Sequence, residues 1–500
     1  MSVKHLTKIG ALTFEQLYGY IIPGCLEMIA EAKSPSFSPH PKRKALIFSG
    51  ENSTRTAGSY QEAARCLGWA YQLDTMNCSS LNKWESWLDT ALTWANYNAC
   101  VIAMRTKVEG VHQWLAEEFD RSGQEVSIQN MGDGTNEHPT QTILDLVTIQ
   151  KELGRLDDFK IGFIGDMLKS RVVKSLLRAL SMRQNISVVC VSPDNVRIPR
   201  HFTRLFSNFE EGDDMELLKD CDVICATRWQ AEREENPATF LEFLRICKKF
   251  QINKKFLKTL KDTAIIMHPL PIDSRVEEIS FEVRGDPRVV VLQQEWYGFA
   301  ARMFLLQMGW DNRQMMTAHL PKGNATLIQI NDPVPLAQAL NRQKDKHPDF
   351  FVPVSDGTVI DKLEEGTARL IQSMLLVTGA ILPRDIVAVS NVTPFNPQRR
   401  DRRKDLLILH GQFLSEEAMG MVAGLCPDAT FNVMQEDAFR KFTVNQDPRI
   451  ITGIGRCGNQ ACITTSGEPG IKPRFINTGF NSRPFECAYC GKNFSLTEIL

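Results

Sequence analysis

The amino-acid sequence has no uninterrupted apolar stretch approaching the ~18 residues of a membrane span, and its start, MSVKHLTKIGALTFEQL, lacks the apolar core of a secretory signal. A soluble cytoplasmic chain without a membrane partner is expected. Neither sign of charge is in surplus: 58 Lys and Arg stand against 59 Asp and Glu, a formal balance of -1. No global positive field therefore exists to drive nucleic-acid binding by phosphate neutralisation, and no nucleic-acid partner is expected. Internal repeats and low-complexity tracts are missing too. With 43% apolar and 23% charged residues the chain is not of the disordered class. Its 500 residues exceed what one hydrophobic core usually serves, so two to four domains are expected.

Cysteine is present, 13 times. Nine of these, from Cys25 to Cys426, are scattered, often inside apolar runs such as SVVCV and CDVICA, and read as reduced core thiols. The other four, Cys457, Cys462, Cys487 and Cys490, form a C-x4-C and a C-x2-C pair separated by 24 residues. That is the spacing of a four-thiolate site for one structural zinc ion (Zn2+), each pair presented by a tight turn. The surroundings, EPGIKPRFINTGFNSRPFE, are only mildly basic.

From about residue 44 to residue 300, short β-branched runs alternate with longer stretches of helical period, the pattern of a parallel sheet wrapped by helices. KALIFSG, CVIAMR, KIGFIGD, SVVCVS, DVICATR, TAIIMHPLP and VVVLQQ read as buried strands; ESWLDTALTWANY and TQTILDLVTIQKELG read as helices. Two doubly wound α/β halves are expected, hinged near residue 151. A composition shift over residues 311–325 marks the main linker, and beyond it the elements run β-α-β-β-α-β, the order of an α+β ferredoxin-like domain.

In doubly wound sheets ligands bind beyond the carboxyl ends of the strands. The residues there are Ser53 to Thr56, Arg105, His138 to Gln141, Arg171, Arg228 to Gln230 and Leu270, nearly all polar and several cationic. In Glu51-Asn52-Ser53-Thr54-Arg55-Thr56 a strand empties into hydroxyls, an Arg and a helix start, where free N–H groups and the helix dipole favour an anion. Two cations and further donors converging on such a start point to a transferase that handles two small anions.

These residues together resemble the catalytic chain of the aspartate carbamoyltransferases. The motifs STRT, VIAMRTKVEG, GDGTNEHPTQTILDL, GDMLKSR, ATRWQAER and HPLP follow one another in order over residues 1–315. The resemblance implies transfer of a carbamoyl group from carbamoyl phosphate to L-aspartate. It implies that Ser53, Thr54, Arg55, Thr56 and Arg105 hold the phosphate, that Thr56, Arg105 and His138 face the carbonyl oxygen, and that Gln141 with the Pro269-Leu270 backbone holds the carbamoyl NH2. Arg171, Arg228 and Gln230 would take the two carboxylates of aspartate, and Glu51, Arg171 and Arg233 would pair as the halves close. Ser79 and Lys83, in SSLNKWES, would reach into a neighbouring subunit's site, which implies a homo-oligomer built of trimers. Trp84 stands where the family usually has Gly, Ile272 where it has Arg, and QQEWYG where its pattern is closer to Q-A-x-N-G. The Cys of H-C-L-P and the S-M-G loop of the ornithine-using relatives do not occur.

GTVIDKL, RRKDLLIL, FLSEE and the four cysteines further resemble the regulatory chain of the same family, over about residues 350–500. The implied organisation is a carbamoyl phosphate-binding domain over 1–150, completed by 300–315, an aspartate-binding domain over 151–299, a linker over 316–349, a regulatory domain over 350–449 and a zinc-binding domain over 450–500. Asp361, Lys362 and Lys404 fall at positions of the family's nucleotide effector site, but Lys362 stands where the family has His, and Ile408 and Phe442 replace two of its lysines. The run Arg399 to Lys404 is compatible with a triphosphate site and equally with a solvated turn. Transfer to another amine and a catalytically silent scaffold are the alternative readings.

Overall fold

Runs of buried β-branched residues give the first half its sheet. In the computed structural model, which describes residues 3–34, 39–51, 54–229, 244–316, 324–346, 354–392, 403–447, 450–479 and 484–499, these runs are strands β1 (His40–Ser49), β2 (Trp69–Thr75), β3 (Val101–Thr106) and β4 (Ser127–Asp133). They pair in parallel in the order β2-β1-β3-β4. Helices α1 (Ile22–Lys33), α2 (Arg55–Cys66), α3 (Trp87–Asn96), α4 (Val111–Arg121) and α5 (Pro139–Leu153) alternate with them. Ala45, Ile47, Val101 and Ala103 are fully buried, as strands covered on both faces must be.

The second half repeats the plan with β5 (Lys160–Ile164), helix α6 (Arg171–Leu180), β6 (Ser187–Val191), β7 (Asn208–Gly212), β8 (Val223–Ala226) and β9 (Ile265–Met267), ordered β7-β6-β5-β8-β9 and all parallel. The run VVVLQQ is strand-like only at Val289, which makes a single parallel bridge with Ile266 of β9. It opens helix α7 (Val291–Asp311), whose 21 residues pack on α1, α2 and α5. A short apolar run cannot be assigned by periodicity alone, and here the helical period downstream prevails.

Residues Met1–Thr317 form one compact unit and Ala318–Leu500 a second. In the second, β12 (Gly357–Glu364), helix α9 (Ala368–Val377), β13 (Ile386–Val392), β14 (Lys404–His410), helix α10 (Glu416–Leu425) and β15 (Thr430–Gln435) give the antiparallel order β15-β12-β14-β13 of a ferredoxin-like core. The stretch read as linker is not plain linker. Within it, β10 (Asn324–Gln329) and β11 (Val334–Pro335) pair with β16 (Ala438–Asp447), and helix α8 (Leu336–Lys346) follows. Leu336 and Leu340 pack with Val359, Ile408, Met434 and Phe439 on the sheet.

A last antiparallel sheet, β17 (Ile450–Thr452), β18 (Arg474–Asn477), β19 (Phe485–Cys487) and β20 (Asn493–Phe494), carries the cysteine cluster. Of the nine scattered cysteines eight are buried, as core thiols should be, but Cys78 is exposed. Among the described residues no helix is long and apolar enough to cross a membrane.

Candidate active site and metal centre

Each parallel sheet reverses its strand order once, between β1 and β3 in the first half and between β5 and β8 in the second. Crevices open at such reversals, at the carboxyl ends of the strands. At the first, Gly50 N donates to Arg105 O at 2.8 Å, so the ends of β1 and β3 lie side by side. Thr54 stands before α2 without capping it through its side chain, at a helix start whose first-turn N–H groups favour an anion.

Glu51 Oε2 is shared. Arg171 Nη1 donates to it at 3.3 Å and also to Gly134 O at 2.8 Å. Arg105 Nε lies 3.2 Å from the same oxygen, an ion pair not aligned as a hydrogen bond. Burial, together with the nearby charges of Arg171 and Arg55, pushes the Arg105 pKa down to about 9. The guanidinium stays charged at neutral pH, but its shift records positive potential that one carboxylate does not cancel. An anion entering here relieves it.

His138 begins α5, with Pro139 as the first helical residue. Its Nδ1 accepts from Gln141 N at 3.3 Å, which puts the ring proton on Nε2. Burial first, then Arg171, Arg105 and Arg302, hold its pKa well below the usual histidine value. A neutral imidazole with one N–H is therefore available as a hydrogen-bond donor that adds no charge.

At the second reversal Thr227 N donates to Ile164 O at 2.7 Å, aligning the ends of β5 and β8. Ser170 Oγ accepts from Val173 N at 3.4 Å and starts α6, so Arg171 leaves from that helix's first residue. Buried Glu278 receives Trp229 N at 3.1 Å and Asp273 N at 2.9 Å, tying the chain after β8 to the loop after β9. Ile272, where the resemblance gives Arg, packs on the apolar cluster of this half.

Thr54, Arg55, Thr56, Arg105, His138 and Gln141 from the first half, with Arg171, Arg228, Pro269 and Leu270 from the second, line one cavity of about 540 Å³ that Glu51 also lines. Ser53, Gln230 and Arg233 lie outside the described residues. Ser79 and Lys83 do not line the cavity: Ser79 is buried with Oγ accepting from Leu81 N at 3.3 Å, and Lys83 is exposed. Lys169, Glu295 and Arg302 line it without having been singled out from the sequence. Lys169 adjoins Arg171 in a motif already marked, whereas Glu295 and Arg302 sit inside a helix and carry no strand-end signal. Among the described residues the walls hold six cations, Arg55, Arg105, Lys169, Arg171, Arg228 and Arg302, against Glu51 and Glu295. Such a site fits a substrate set of several negative charges.

The thiols of Cys457, Cys462, Cys487 and Cys490 lie within 4.8 Å of one another and all four residues are buried. Cys457 Sγ is 3.7 Å from Cys490 Sγ, and Cys462 Sγ 3.8 Å from Cys487 Sγ, distances fit for a shared metal ion. In the ferredoxin-like part, Lys404 Nζ donates to Asp361 Oδ1 at 2.5 Å. Lys362 adopts a φ of 62°, beside the bulge between Ile360 and Leu363.

Family models agree with this geometry. The carbamoyl-P binding domain of the aspartate/ornithine carbamoyltransferases matches residues 4–151, and their Asp/Orn binding domain matches 157–308. The fold and the cation-lined cavity are thus those of a carbamoyltransferase. The aspartate carbamoyltransferase catalytic subunit of Methanocaldococcus jannaschii is 34% identical over 321 residues, covering 61% of this chain and 97% of that protein. The solved catalytic subunit from M. jannaschii superposes with a TM-score of 0.55 at 34% identity over 62% of this chain and 99% of that one. Aspartate transcarbamoylase from Trypanosoma cruzi in complex with carbamoyl phosphate and aspartate does so with a TM-score of 0.54 at 28% identity over 62% and 95%. The chain belongs to the aspartate carbamoyltransferase family. Residues 449–500 match the metal binding domain of the family's regulatory chain, so catalytic and regulatory parts share one polypeptide.

Proposed function

We propose that the cavity binds carbamoyl phosphate at the first reversal and L-aspartate at the second, and transfers the carbamoyl group between them. The observation that carries this reading is the convergence of both strand-order reversals on a single cavity with cations from each half. The phosphate sits at the start of α2 with Ser53, Thr54, Arg55, Thr56 and Arg105. The aspartate carboxylates meet Arg171 and Arg228 with Gln230, and two guanidinium groups favour a dicarboxylate over other amines.

The amine lone pair attacks the carbonyl carbon, and the C=O pair moves to oxygen. Thr56, Arg105 and His138 Nε2–H stabilise that oxyanion. The C–O bond to phosphate then breaks, Arg55 neutralises the departing oxygen, and the released phosphate takes up the amine proton. Positioning and charge supply the rate, with no covalent enzyme intermediate. The Glu51–Arg171 pair, which spans the halves at 3.3 Å, supports a role in closure shared with Arg233.

Ser79 and Lys83 are read as completing a neighbouring subunit's site in a trimer or multiple of trimers. What supports this is that the two residues do not line the cavity of their own chain, while Lys83 is exposed. For the thiol cluster we propose structural zinc. Zn–S bonds of about 2.3 Å in a tetrahedron give sulfur separations of about 3.8 Å, close to the pairs above. A nucleotide effector at Asp361, Lys362 and Lys404 would have to part the Asp361–Lys404 pair. Calorimetry with CTP tests it, heat and altered activity being the supporting result.

Formation of carbamoyl aspartate by the purified, sized chain, beside an Arg55→Ala control, tests the central reading. Activity lost in the control, from a trimer or larger, supports it. A folded trimer inactive with aspartate but active with another amine would overturn the choice of acceptor.

A further inference from the structure

Gln141 can serve a carbamoyl NH2 only through its oxygen, because both NH2 hydrogens are donors. An amide side chain is nearly symmetric, so something must fix which end faces the cavity. One turn along α5, Asp145 is fully buried, and its Oδ1 accepts from Gln141 Nε2 at 3.0 Å. With the nitrogen anchored on Asp145, Oε1 is the acceptor that Gln141 offers the cavity it lines.

The same Oδ1 accepts from Gln294 Nε2, on α7, at 2.7 Å. Gln294 is fully buried as well, and its Oε1 accepts from His268 N at 3.0 Å. His268 Nδ1 in turn accepts from Leu270 N at 2.8 Å, holding Leu270 at a φ of 52°, in the left-handed region. One buried chain of hydrogen bonds thus joins the Gln141 amide to the Pro269-Leu270 backbone. These are the two elements assigned to the carbamoyl NH2 group, one on helix α5 of the first half and the other in the loop after β9 of the second.

We infer that Asp145, bridged by Gln294, is the positioning residue that sets both acceptors for the carbamoyl NH2 and so makes the site prefer carbamoyl phosphate to phosphoanhydrides without that group. This rests on the reading of the cavity proposed above. The polarity is forced from one end: His268 N–H requires Gln294 Oε1, Gln294 therefore donates to residue 145, and residue 145 must accept. An Asn there can still accept from both glutamines through its single oxygen. A Leu of similar size cannot.

The test compares carbamoyl phosphate with acetyl phosphate, which has a methyl in place of the NH2, and with inorganic phosphate. In Asp145→Leu, kcat/KM for carbamoyl phosphate is expected to fall about 100-fold, the scale of misplacement near 1 Å. The inhibition constants of acetyl phosphate and phosphate keep their wild-type values, and Asp145→Asn regains most of the lost rate. Should Asp145→Leu not fold, Gln294→Met is read by the same comparison, with about a tenfold selective loss expected. Wild-type discrimination in the folded variants, or equal weakening of all three anions as from a general structural fault, would overturn the inference. A wild-type chain that does not bind carbamoyl phosphate would overturn the parent reading, and this one with it.

Discussion

Replacement of Gly132 by Ala should disable the aspartate side of the site through a single methyl group. Gly132 has a φ of 120°, and a Cβ built on it would stand 2.9 Å from Arg171 Cζ and 3.1 Å from both terminal nitrogens. Ordinary contact begins at 3.4 to 4 Å, so the guanidinium must retreat by about 0.5 to 1.1 Å. That retreat strains its bonds to Gly134 O at 2.8 Å and Glu51 Oε2 at 3.3 Å, the contacts that hold it beside the cavity. Misplacement on the 1 Å scale costs up to about 100-fold in rate. The backbone adds about 1–3 kcal/mol for a side chain at positive φ, or several degrees in Tm. Steady-state kinetics with each substrate varied should show a raised KM for aspartate and a reduced kcat, with KM for carbamoyl phosphate little changed. A variant with the wild-type aspartate KM, kcat and Tm would refute the reasoning.

On the trimer proposed above, mixing Lys83→Ala chains with Arg55→Ala chains, each inactive, should restore part of the activity on reassembly, because some sites then hold an intact pair; no recovery in verified mixed oligomers refutes sharing. Cys490→Ser should lower the chain's metal content, zinc on the reading proposed above, and expose the terminal sheet to proteolysis, as read by elemental analysis and limited digestion. The pH dependence of stability follows from buried groups. Burial keeps the pKa of His138 well below 6.5 and takes those of His112 and His268 to about 4 and about 3, so the unfolded state binds three extra protons below pH ~6.5. Asp133 and Asp145, raised by burial to about 7, bind two extra protons in the folded state above pH ~4. The histidines outnumber the two carboxyls, so the unfolded state binds more protons on balance and stability should fall as pH drops from about 6 towards 4. Denaturant melts across that window check the sign.

The doubly wound halves were legible because buried parallel strands read as continuous β-branched runs, and KALIFSG, CVIAMR, KIGFIGD and SVVCVS all lie on strands. Three strands were not legible. β4 carries buried Gln129 and Asn130, polar residues hidden because each is satisfied: Gln129 donates to Leu305 O at 2.6 Å and accepts from Tyr60 OH at 2.8 Å, and Asn130 donates to Thr7 O at 2.8 Å. The edge strands β2 and β7 are half solvated and lack an apolar run. Strand ends pointed to most of the cavity's cations, since sheet topology places such residues there. Arg302 escaped this logic: it projects from a helix interior, and only the tertiary contact of α7 with the first half brings it to the cavity. Trp84 shows a departure whose meaning needed coordinates. Its φ of 67° is the conformation that a glycine occupies freely, so the bulky residue is held there at about 1–3 kcal/mol.

Helix α7 has a further consequence. It starts beside β9, where its own Gln294 accepts from His268 N, and some 30 Å later ends against the first sheet, where a Cβ on Gly309 would come within 2.9 Å of Ser127 and Val101 side-chain atoms. The first half is therefore discontinuous in the chain, its wall being delivered only after the second half has been synthesised. A fragment ending near residue 151 would carry an uncovered apolar face and an unmet Gln129 amide. On the ribosome the two halves cannot mature one after the other: the first half's side of the cavity waits, unfinished, for a segment made about 150 residues later.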